Sequence, residues 1–428
     1  MEILNVKIEG FRNIDSAPVS LSSINALVAL NAYGKSNILD AINFAFDFIS
    51  ASKDEKSNLM ANSLFIPVNR AIESKNFMAD FNFKIGFNND VYLVNYGFEF
   101  VWVNKDSTGQ SIVSEWLKVK ASRDLKYSQL MNRTSERALY RSSESGRCSS
   151  QLKIEKNNLL VNKLQAFDDL YYQAIIQAIN SISVYVERHL DTTNYYSPDP
   201  IIRKGIEALD IRSIENIPRT IFYLKKDYPD KYQILEDAYM QLFPQIEQIE
   251  VEEFDFTKQK SKSKLPDNAP FIIADKLHSM QVIDKNLNQP INFTMLSDGC
   301  KRVFLMLTFA IIADIKNLSL IAIEEPENSV HPALLQSYLR VLTQLAKSCK
   351  IIVASHSPYI IECIPAQDIY IGIPNDKNIT DFRKVAKSKI NKLINDSAEY
   401  SSSMGSYIFE LLSGSTEDIE QLTSYLEK

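Results

Sequence analysis

The chain has 428 residues, 45% hydrophobic and 23% charged, with 53 acidic against 47 basic side chains and a formal net charge of −6. A chain of that size can bury a large core and should hold two or three lobes, while its acidic balance argues against a general nucleic-acid coat, leaving room only for a local basic patch. Cys148, Cys300, Cys349 and Cys363 are scattered, with no C-x-x-C pair and no histidine at metal-ligand spacing, which argues against a zinc site and a disulfide framework.

The first residues, Met1-Glu2-Ile3-Leu4, run directly into a strand pattern without a secretory signal. Ile3 to Ile8 and Ile24 to Leu30 read as strands, separated by Phe11-Arg12-Asn13 and a polar turn. The second strand leads into Ala29-Leu30-Asn31-Ala32-Tyr33-Gly34-Lys35-Ser36-Asn37, close to Gly-x-x-x-x-Gly-Lys-Ser but with Ala29 in the first glycine position. Ile38, Leu39, Ile42, Ala45, Phe46 and Ile49 then recur as one helical face. Strand, loop and helix in that order aim loop amides and a helix N-terminus at one point, where a triphosphate is the natural occupant. Gly34 permits close backbone approach, Lys35 neutralises phosphates and the Ser36 hydroxyl offers a ligand to magnesium. The plainer alternative is a Gly-Lys-Ser turn beginning an ordinary helix.

From Phe77 the period changes to two, with Phe77, Ala79, Phe81, Phe83, Ile85 and Phe87 in alternation. The turn Asn88-Asn89-Asp90 follows, then Tyr92, Val94, Tyr96, Phe98, Phe100 and Trp102, and a third strand over Ile112 to Val119, predicting an antiparallel meander. Residues 128–153, rich in Ser and Arg, read as a mobile connection. Helical patterns dominate from Leu159 to Glu247, broken at Ser197-Pro198-Asp199-Pro200 and Tyr228-Pro229-Asp230, which excludes one long coiled coil. Lys258, Lys260, Lys262 and Lys264 form an alternating basic run, readable as a solvated loop tip or as a DNA-phosphate contact.

Leu296-Ser297-Asp298-Gly299-Cys300-Lys301-Arg302 opens a helix that is apolar nearly all round and therefore buried. Its longest apolar stretch, Val303 to Ala313, contains Thr308 and is too short to span a bilayer, so no membrane association and a cytoplasmic location are expected. Leu318 to Ile323 is an apolar strand ending in Glu324-Glu325-Pro326-Glu327-Asn328, and His331-Pro332 begins another helix. Ile351 to Ala354 ends at Ser355-His356-Ser357-Pro358. Strands alternating with helices predict a parallel sheet with its ligand at the carboxyl ends of the strands. Glu324 would hold magnesium, Glu325 would orient and deprotonate water, and His356 would sense the terminal phosphate. Taken singly, Glu324-Glu325 could simply begin a surface loop, His356 could be a satisfied turn residue, and Ser297 an ordinary N-cap.

Together, Asn31 to Asn37, Leu296 to Arg302, Ile323 to Asn328 with His331-Pro332, and Ser355 to Pro358 resemble the motifs of ABC-type ATPase heads of the RecF, SMC and OLD group, in particular compact prokaryotic heads of the AAA family. The resemblance implies an α/β head with a mostly parallel core sheet flanked by helices, an antiparallel meander in the N-terminal lobe and a helical insert. The corresponding divisions are 1–153 (N-terminal ATPase lobe), 154–250 (helical insert), 251–372 (C-terminal ATPase lobe) and 373–428 (helical tail). It implies ATP and Mg2+ as cofactors, with Asn31, Gly34, Lys35, Ser36, Asn37 and Arg12 on the nucleotide, Ser36 and Glu324 on the metal, and Glu325, His356 and Lys35 in catalysis. Arg12 is equally readable as a surface arginine.

In such heads two copies close around ATP, so Ser297 and Gly299 would act in trans on the nucleotide of a second copy. The resemblance also implies a separate effector, most often a nuclease in antiphage systems of the Septu, retron-associated or PARIS type. Three departures stand out: Ala29 for glycine, Glu324 for aspartate, and no evident glutamine-bearing loop. They keep slow turnover, or a nucleotide-bound scaffold, among the alternatives. A RecF-like DNA-repair ATPase that binds nucleic acid directly is another. A nuclease within the chain is not expected, because no D-x-D pair follows residue 373. The segment from Ile390, with Tyr407-Ile408-Phe409, reads as a helical tail available to a partner protein.

Overall fold

The computed structural model describes residues 1–61, 66–87, 90–103, 111–187, 195–198, 200–205, 207–209, 216–255, 268–373, 375 and 377–427. The chain divides into two compact units, the first comprising residues 1–186, 318–325 and 348–428 and the second 187–317 and 326–347. The basic run at 258–264 lies outside the described residues, as do Asn88, Asn89 and Asp199.

In the first unit a six-stranded sheet runs in the order Val184–Glu187, Leu320–Glu324, Lys350–Ser355, Ile24–Val28, Ile369–Gly372 and Phe382–Lys384. Leu320–Glu324, Lys350–Ser355, Ile24–Val28 and Ile369–Gly372 pair in parallel, and Phe382–Lys384 closes an edge antiparallel. Their apolar runs are buried on both faces, as a parallel sheet requires. The carboxyl ends of three adjacent strands therefore deliver the phosphate loop, Glu324 with Glu325, and Ser355 with His356 to one edge of the sheet.

A second, eight-stranded sheet is wholly antiparallel, in the order Ile14–Ser20, Glu2–Phe11, Phe77–Phe87, Asp90–Val101, Ser111–Ala121, Ser128–Arg133, Ala138–Tyr140 and Ser150–Leu152. The meander is thus longer than its three periodic strands suggested. Residues 128–153 are not a mobile connection: they contribute three strands, which bury Leu130, Met131 and Ala138. Two of them are only three residues long and carry too little alternation to be recognised, and the ladder hydrogen bonds of all three come from neighbours in the sheet.

The loop helix, Lys35–Ser50, carries more than one apolar face. Besides the predicted stripe it buries Phe44 and Phe48, and Phe48 stacks on Phe98 and Phe100 with ring centroids 5.0 and 4.8 Å apart. Phe46 meets Phe81 at 4.7 Å. Aromatic rings at alternate positions of a helix point to different sides, so this helix is packed by the meander as well as by the parallel sheet.

The C-terminal segment is built into the same unit. Helices Ile390–Glu399, Met404–Ser413 and Thr416–Thr423 bury Leu393, Tyr407, Ile408, Leu411 and Leu422. Tyr407 is 2% exposed and Ile408 0%. These side chains serve the chain's own core, so Tyr407 and Ile408 are not available to a partner, contrary to the expectation from sequence. Gly405 marks the docking point, since a Cβ there would lie 2.2 Å from the Pro358 carbonyl.

The second unit holds helices Ile217–Asp227, Pro229–Leu242, Asp298–Lys316 and Pro332–Ala346, a three-stranded sheet (Ile246–Asp255, Lys276–Asp284, Ile291–Asn292) and a two-stranded one (Ile201–Arg203, Phe271–Ile273). Asp298–Lys316 is buried continuously from Lys301 to Ala313, matching its all-round apolar sequence. Thr308 is accommodated there because its hydroxyl donates to the Phe304 carbonyl at 2.8 Å. Tyr239, Phe293 and Phe304 pack edge and face around its first turns, at 4.9 to 6.2 Å. Among the described residues no helix is long and apolar enough to cross a membrane.

Candidate functional site

The strand Ile24–Val28 runs into the core through Ala29, which is fully buried. Its methyl packs toward Gly372 of the neighbouring strand: a Cβ added at Gly372 would lie 2.7 Å from it. The extra carbon at the first glycine position is therefore accommodated inside the sheet by a glycine on the adjacent strand. Ala29 is absent from the lining of the phosphate-loop cavity.

Gly34 ends the loop in the left-handed region, with φ 95° and ψ 13°, and begins the helix without a side-chain cap. Asn216, Ser297, His331, Ser403 and Ser415 each cap a helix with a side-chain acceptor. At the loop helix, by contrast, the N-cap is a glycine that supplies no capping side chain, the arrangement that leaves room for an anion at the helix N-terminus. The Lys35 ammonium folds back on the loop, donating to the Ala29 and Leu30 carbonyls at 2.8 and 3.1 Å.

A cavity of ≈ 190 Å³ joins the two halves of the motif set within the first unit. Asn31, Gly34, Lys35, Ser36 and Asn37 line it from one side and Glu324 and Glu325 from the other. Glu325 follows the end of Leu320–Glu324 with φ 49°, a conformation that a non-glycine residue adopts at a cost of roughly 1–2 kcal/mol. Its amide still donates to the Ala354 carbonyl at 2.8 Å, so the chain turns sharply one residue beyond the strand pairing. The Glu325 carboxylate meets His356 across adjacent strand ends, Oε1 to Nδ1 at 2.7 Å, with side chains 36% and 44% exposed. The structure thus brings together Lys35, Ser36, Glu324, Glu325 and, through Glu325, His356.

Arg12 is not a freely solvated arginine. It has φ 50° in the turn between the first two strands, and its Nη1 donates to Asn37 Oδ1 at 2.8 Å and Asp40 Oδ2 at 2.5 Å. Asn37 in turn donates to Asn13 Oδ1 at 2.7 Å. Ser297 and Gly299 lie in the second unit. Ser297 caps Asp298–Lys316, its hydroxyl accepting from the Cys300 amide, and it is exposed. Gly299 has a steric reason to be glycine, because a Cβ there would sit 2.2 Å from the Ser329 carbonyl. His331 caps Pro332–Ala346, with Nδ1 accepting from the Ala333 amide at 3.2 Å.

Sequence reasoning missed Asn13, Asp40 and Thr380, which join Arg12 and Asn37 behind the loop. Asn13 followed Arg12 in a turn already noticed, whereas Thr380 carries no local signal.

The donor set fits a magnesium-bound triphosphate. Helix N-terminal amides and an ammonium suit phosphate oxygens, while a hydroxyl and carboxylates are the hard oxygen ligands that magnesium takes in small number beside a phosphate substrate. Among the described residues there is no group of three or more His, Cys, Asp or Glu that could hold a metal by itself.

Among solved structures the chain is similar to an SMC head bound to the C-terminal winged-helix domain of ScpA, with 15% identity and a TM-score of 0.51 over 92% of this chain and 100% of that one. The SMC head domain from Thermotoga maritima aligns with 12% identity and a TM-score of 0.43, covering 90% of this chain and 100% of that one. An SMC head with an extended coiled coil, bound to the C-terminal domain of ScpA from Pyrococcus furiosus, has 11% identity and a TM-score of 0.43, covering 93% and 99%. No curated protein matches the chain. At this identity the first likeness establishes a shared fold, that of an SMC-type ATPase head. The profile of the AAA ATPase domain family matches residues 1–361, and the chain belongs to that family.

Proposed function

We propose that the chain binds and hydrolyses ATP with magnesium at the 190 Å³ cavity, and that it does so as a head-to-head dimer controlling a separate effector. The observation that carries the reading is the meeting, in one cavity, of Lys35 and Ser36 with Glu324 and Glu325, which stand about two thirds of the chain apart in sequence.

Lys35 and the amides of the first helical turn would hold the phosphates, and Ser36 with Glu324 would hold the metal. Bound ATP supplies the phosphoanhydride bond to be cleaved, and magnesium neutralises its charge. Glu325 would take the proton of the attacking water. The His356 Nδ1–H at Oε1 keeps the carboxylate oriented for that task and links its position to the end of the next strand. Lys35 must exchange the Ala29 and Leu30 carbonyls for phosphate oxygens when it binds. The ammonium thereby already occupies a position next to the site, and its ligands change without a change of side-chain reach.

The cavity is smaller than the roughly 300–1,000 Å³ of a complete small-molecule site. It suits the phosphates and leaves further enclosure to another surface. Ser297 and Gly299 of a second copy are the proposed source, the first exposed and the second half-buried at the start of Asp298–Lys316, where helix amides favour an anion. Control of an effector is supported by the motif resemblance to compact prokaryotic heads, among which a nuclease in an antiphage system is the expected partner. The SMC head seated on another protein's winged-helix domain is a further precedent for a protein partner.

The test is equilibrium ATP binding with Lys35→Ala as control, followed by Glu325→Gln. Wild type should bind, and Lys35→Ala should lose binding. Glu325→Gln should retain ATP and shift the chain to a dimer. Wild-type hydrolysis by Glu325→Gln would remove its assignment as base, and ATP-saturated chains that stay monomeric would remove the dimer.

A further inference from the structure

The cavity residues are held from behind by a polar cluster that does not line the cavity. It begins in the turn between Glu2–Phe11 and Ile14–Ser20, where Phe11 and Ile14 pair directly and leave Arg12 and Asn13 as the turn. Arg12 adopts φ 50°, an uncommon conformation for a non-glycine residue. Its carbonyl accepts from the Asn69 amide at 2.6 Å. The turn presents Arg12 and Asn13 side by side to the first two turns of the loop helix.

Asn13, 8% exposed, has both ends of its side chain committed. Oδ1 accepts from Asn37 Nδ2 at 2.7 Å and from Thr380 Oγ1 at 2.9 Å, and Nδ2 donates to the Asn378 carbonyl at 3.2 Å. Its main-chain carbonyl accepts from the Thr380 amide at 2.8 Å. Thr380, 4% exposed, comes from the segment before the edge strand Phe382–Lys384. Its Oγ1 lies 2.2 Å from the position that a Cβ on Gly34 would occupy. Asn69 Nδ2 closes the outside of the cluster on the Lys377 carbonyl at 3.0 Å.

Two consequences follow from elementary geometry. The Thr380 hydroxyl fills the space where a Gly34 side chain would start, at the left-handed residue that leads directly into the helix. Asn37, one turn into the helix, is held on the same oxygen of Asn13, while Arg12 holds its other end at 2.8 Å. A buried amide with all its partners satisfied is a rigid connector, because loosening any one bond leaves a desolvated polar atom.

We infer that Asn13 and Thr380 are positioning residues for the phosphate loop. They hold Gly34 and Asn37 so that the first-turn amides, Lys35 and Ser36 face the cavity before a ligand arrives. Ligand binding then need not order the loop, and affinity gains what ordering would have cost. The inference rests on the nucleotide reading for its effect on affinity, and on the chain alone for its effect on loop order.

The deciding variants are Thr380→Val, which keeps shape and removes the hydroxyl, and Thr380→Ser, which keeps the hydroxyl. In the nucleotide-free protein, amide hydrogen exchange of residues 31–37 should quicken about five- to tenfold in Thr380→Val, the loss of one net hydrogen bond, and return toward wild type in Thr380→Ser. ATP should bind about five- to tenfold more weakly to Thr380→Val, with turnover at saturating ATP preserved. Asn37→Ala removes the Asn13 contact from the helix side and should quicken exchange likewise; it keeps the test open should Thr380→Val fold poorly. Unchanged exchange at 31–37 in both Thr380→Val and Asn37→Ala would overturn the inference, as would equal loss in Thr380→Ser and Thr380→Val. Quickened exchange in a chain that does not bind ATP would leave the positioning role standing and remove the nucleotide reading instead.

Discussion

The packing of Ala29 on Gly372 makes a quantitative prediction about the one irregular position of the phosphate loop. In Gly372→Ala the new methyl would lie 2.7 Å from the Ala29 methyl and 2.8 and 3.0 Å from Phe382 Cζ and Cε1, all inside ordinary contact. Overpacking of this kind costs about 1–3 kcal/mol. Ala29→Gly removes a wholly buried methyl, worth about 0.8 kcal/mol, and adds glycine's backbone entropy of roughly 0.5–1 kcal/mol. If the two positions share one methyl-sized space, the double variant moves the methyl from one strand to the other. It should then be more stable than the sum of the single losses by about 1 kcal/mol, the coupling expected of residues in contact. Urea unfolding of wild type, both single variants and the double variant measures this directly. ATP affinity should change less than threefold in Ala29→Gly, because the methyl faces the sheet and not the cavity. Additive losses would refute the shared-space argument. A tenfold gain of affinity on Ala29→Gly would show that the methyl does obstruct the phosphates.

Further predictions concern the scaffold around the site. Glu115 is fully buried, accepts from the Leu160 and Val161 amides at 2.5 and 2.9 Å and stands 4.0 Å from Arg133, so Glu115→Ala should cost about 3–5 kcal/mol in unfolding free energy. Gly299→Ala would bring a Cβ to 2.2 Å from the Ser329 carbonyl; it should destabilise the second unit by about 1–3 kcal/mol, visible as a lowered thermal transition. Lys56 is fully buried against the end of the loop helix, where it donates to the Ile49 and Ala51 carbonyls, and burial lowers its pKa from 10.5 to about 8, with Glu115 opposing. Below pH 8 it is charged in folded and unfolded chains alike and its burial penalty is fully present. Between about 8 and 10.5 the unfolded chain binds the extra proton, so stability should rise with pH. Compared with Lys56→Met, the wild type should gain stability across that window; a flat difference would contradict it.

How far the site was legible follows from the range of the interactions involved. The strand, loop and helix around Gly34, Lys35 and Ser36, the acidic end of Leu320–Glu324, the turn at His356 and the cap at Ser297 are local patterns: a hydrophobic period followed by residues of defined chemistry. The sequence by itself determined these, together with the parallel core, since a period of two or 3.6 and a residue's own backbone preference act over a few positions. Tertiary structure alone decided the rest. It placed Glu325 Oε1 2.7 Å from His356 Nδ1 and turned the Ala29 methyl onto Gly372. It drew Thr380 back to Asn13, made strands of residues 128–153, and buried Tyr407 and Ile408. The physical reason is the same in each case. These contacts join positions with no shared period, and their free energy comes from shape, burial and hydrogen bonds that exist only once distant segments are packed together.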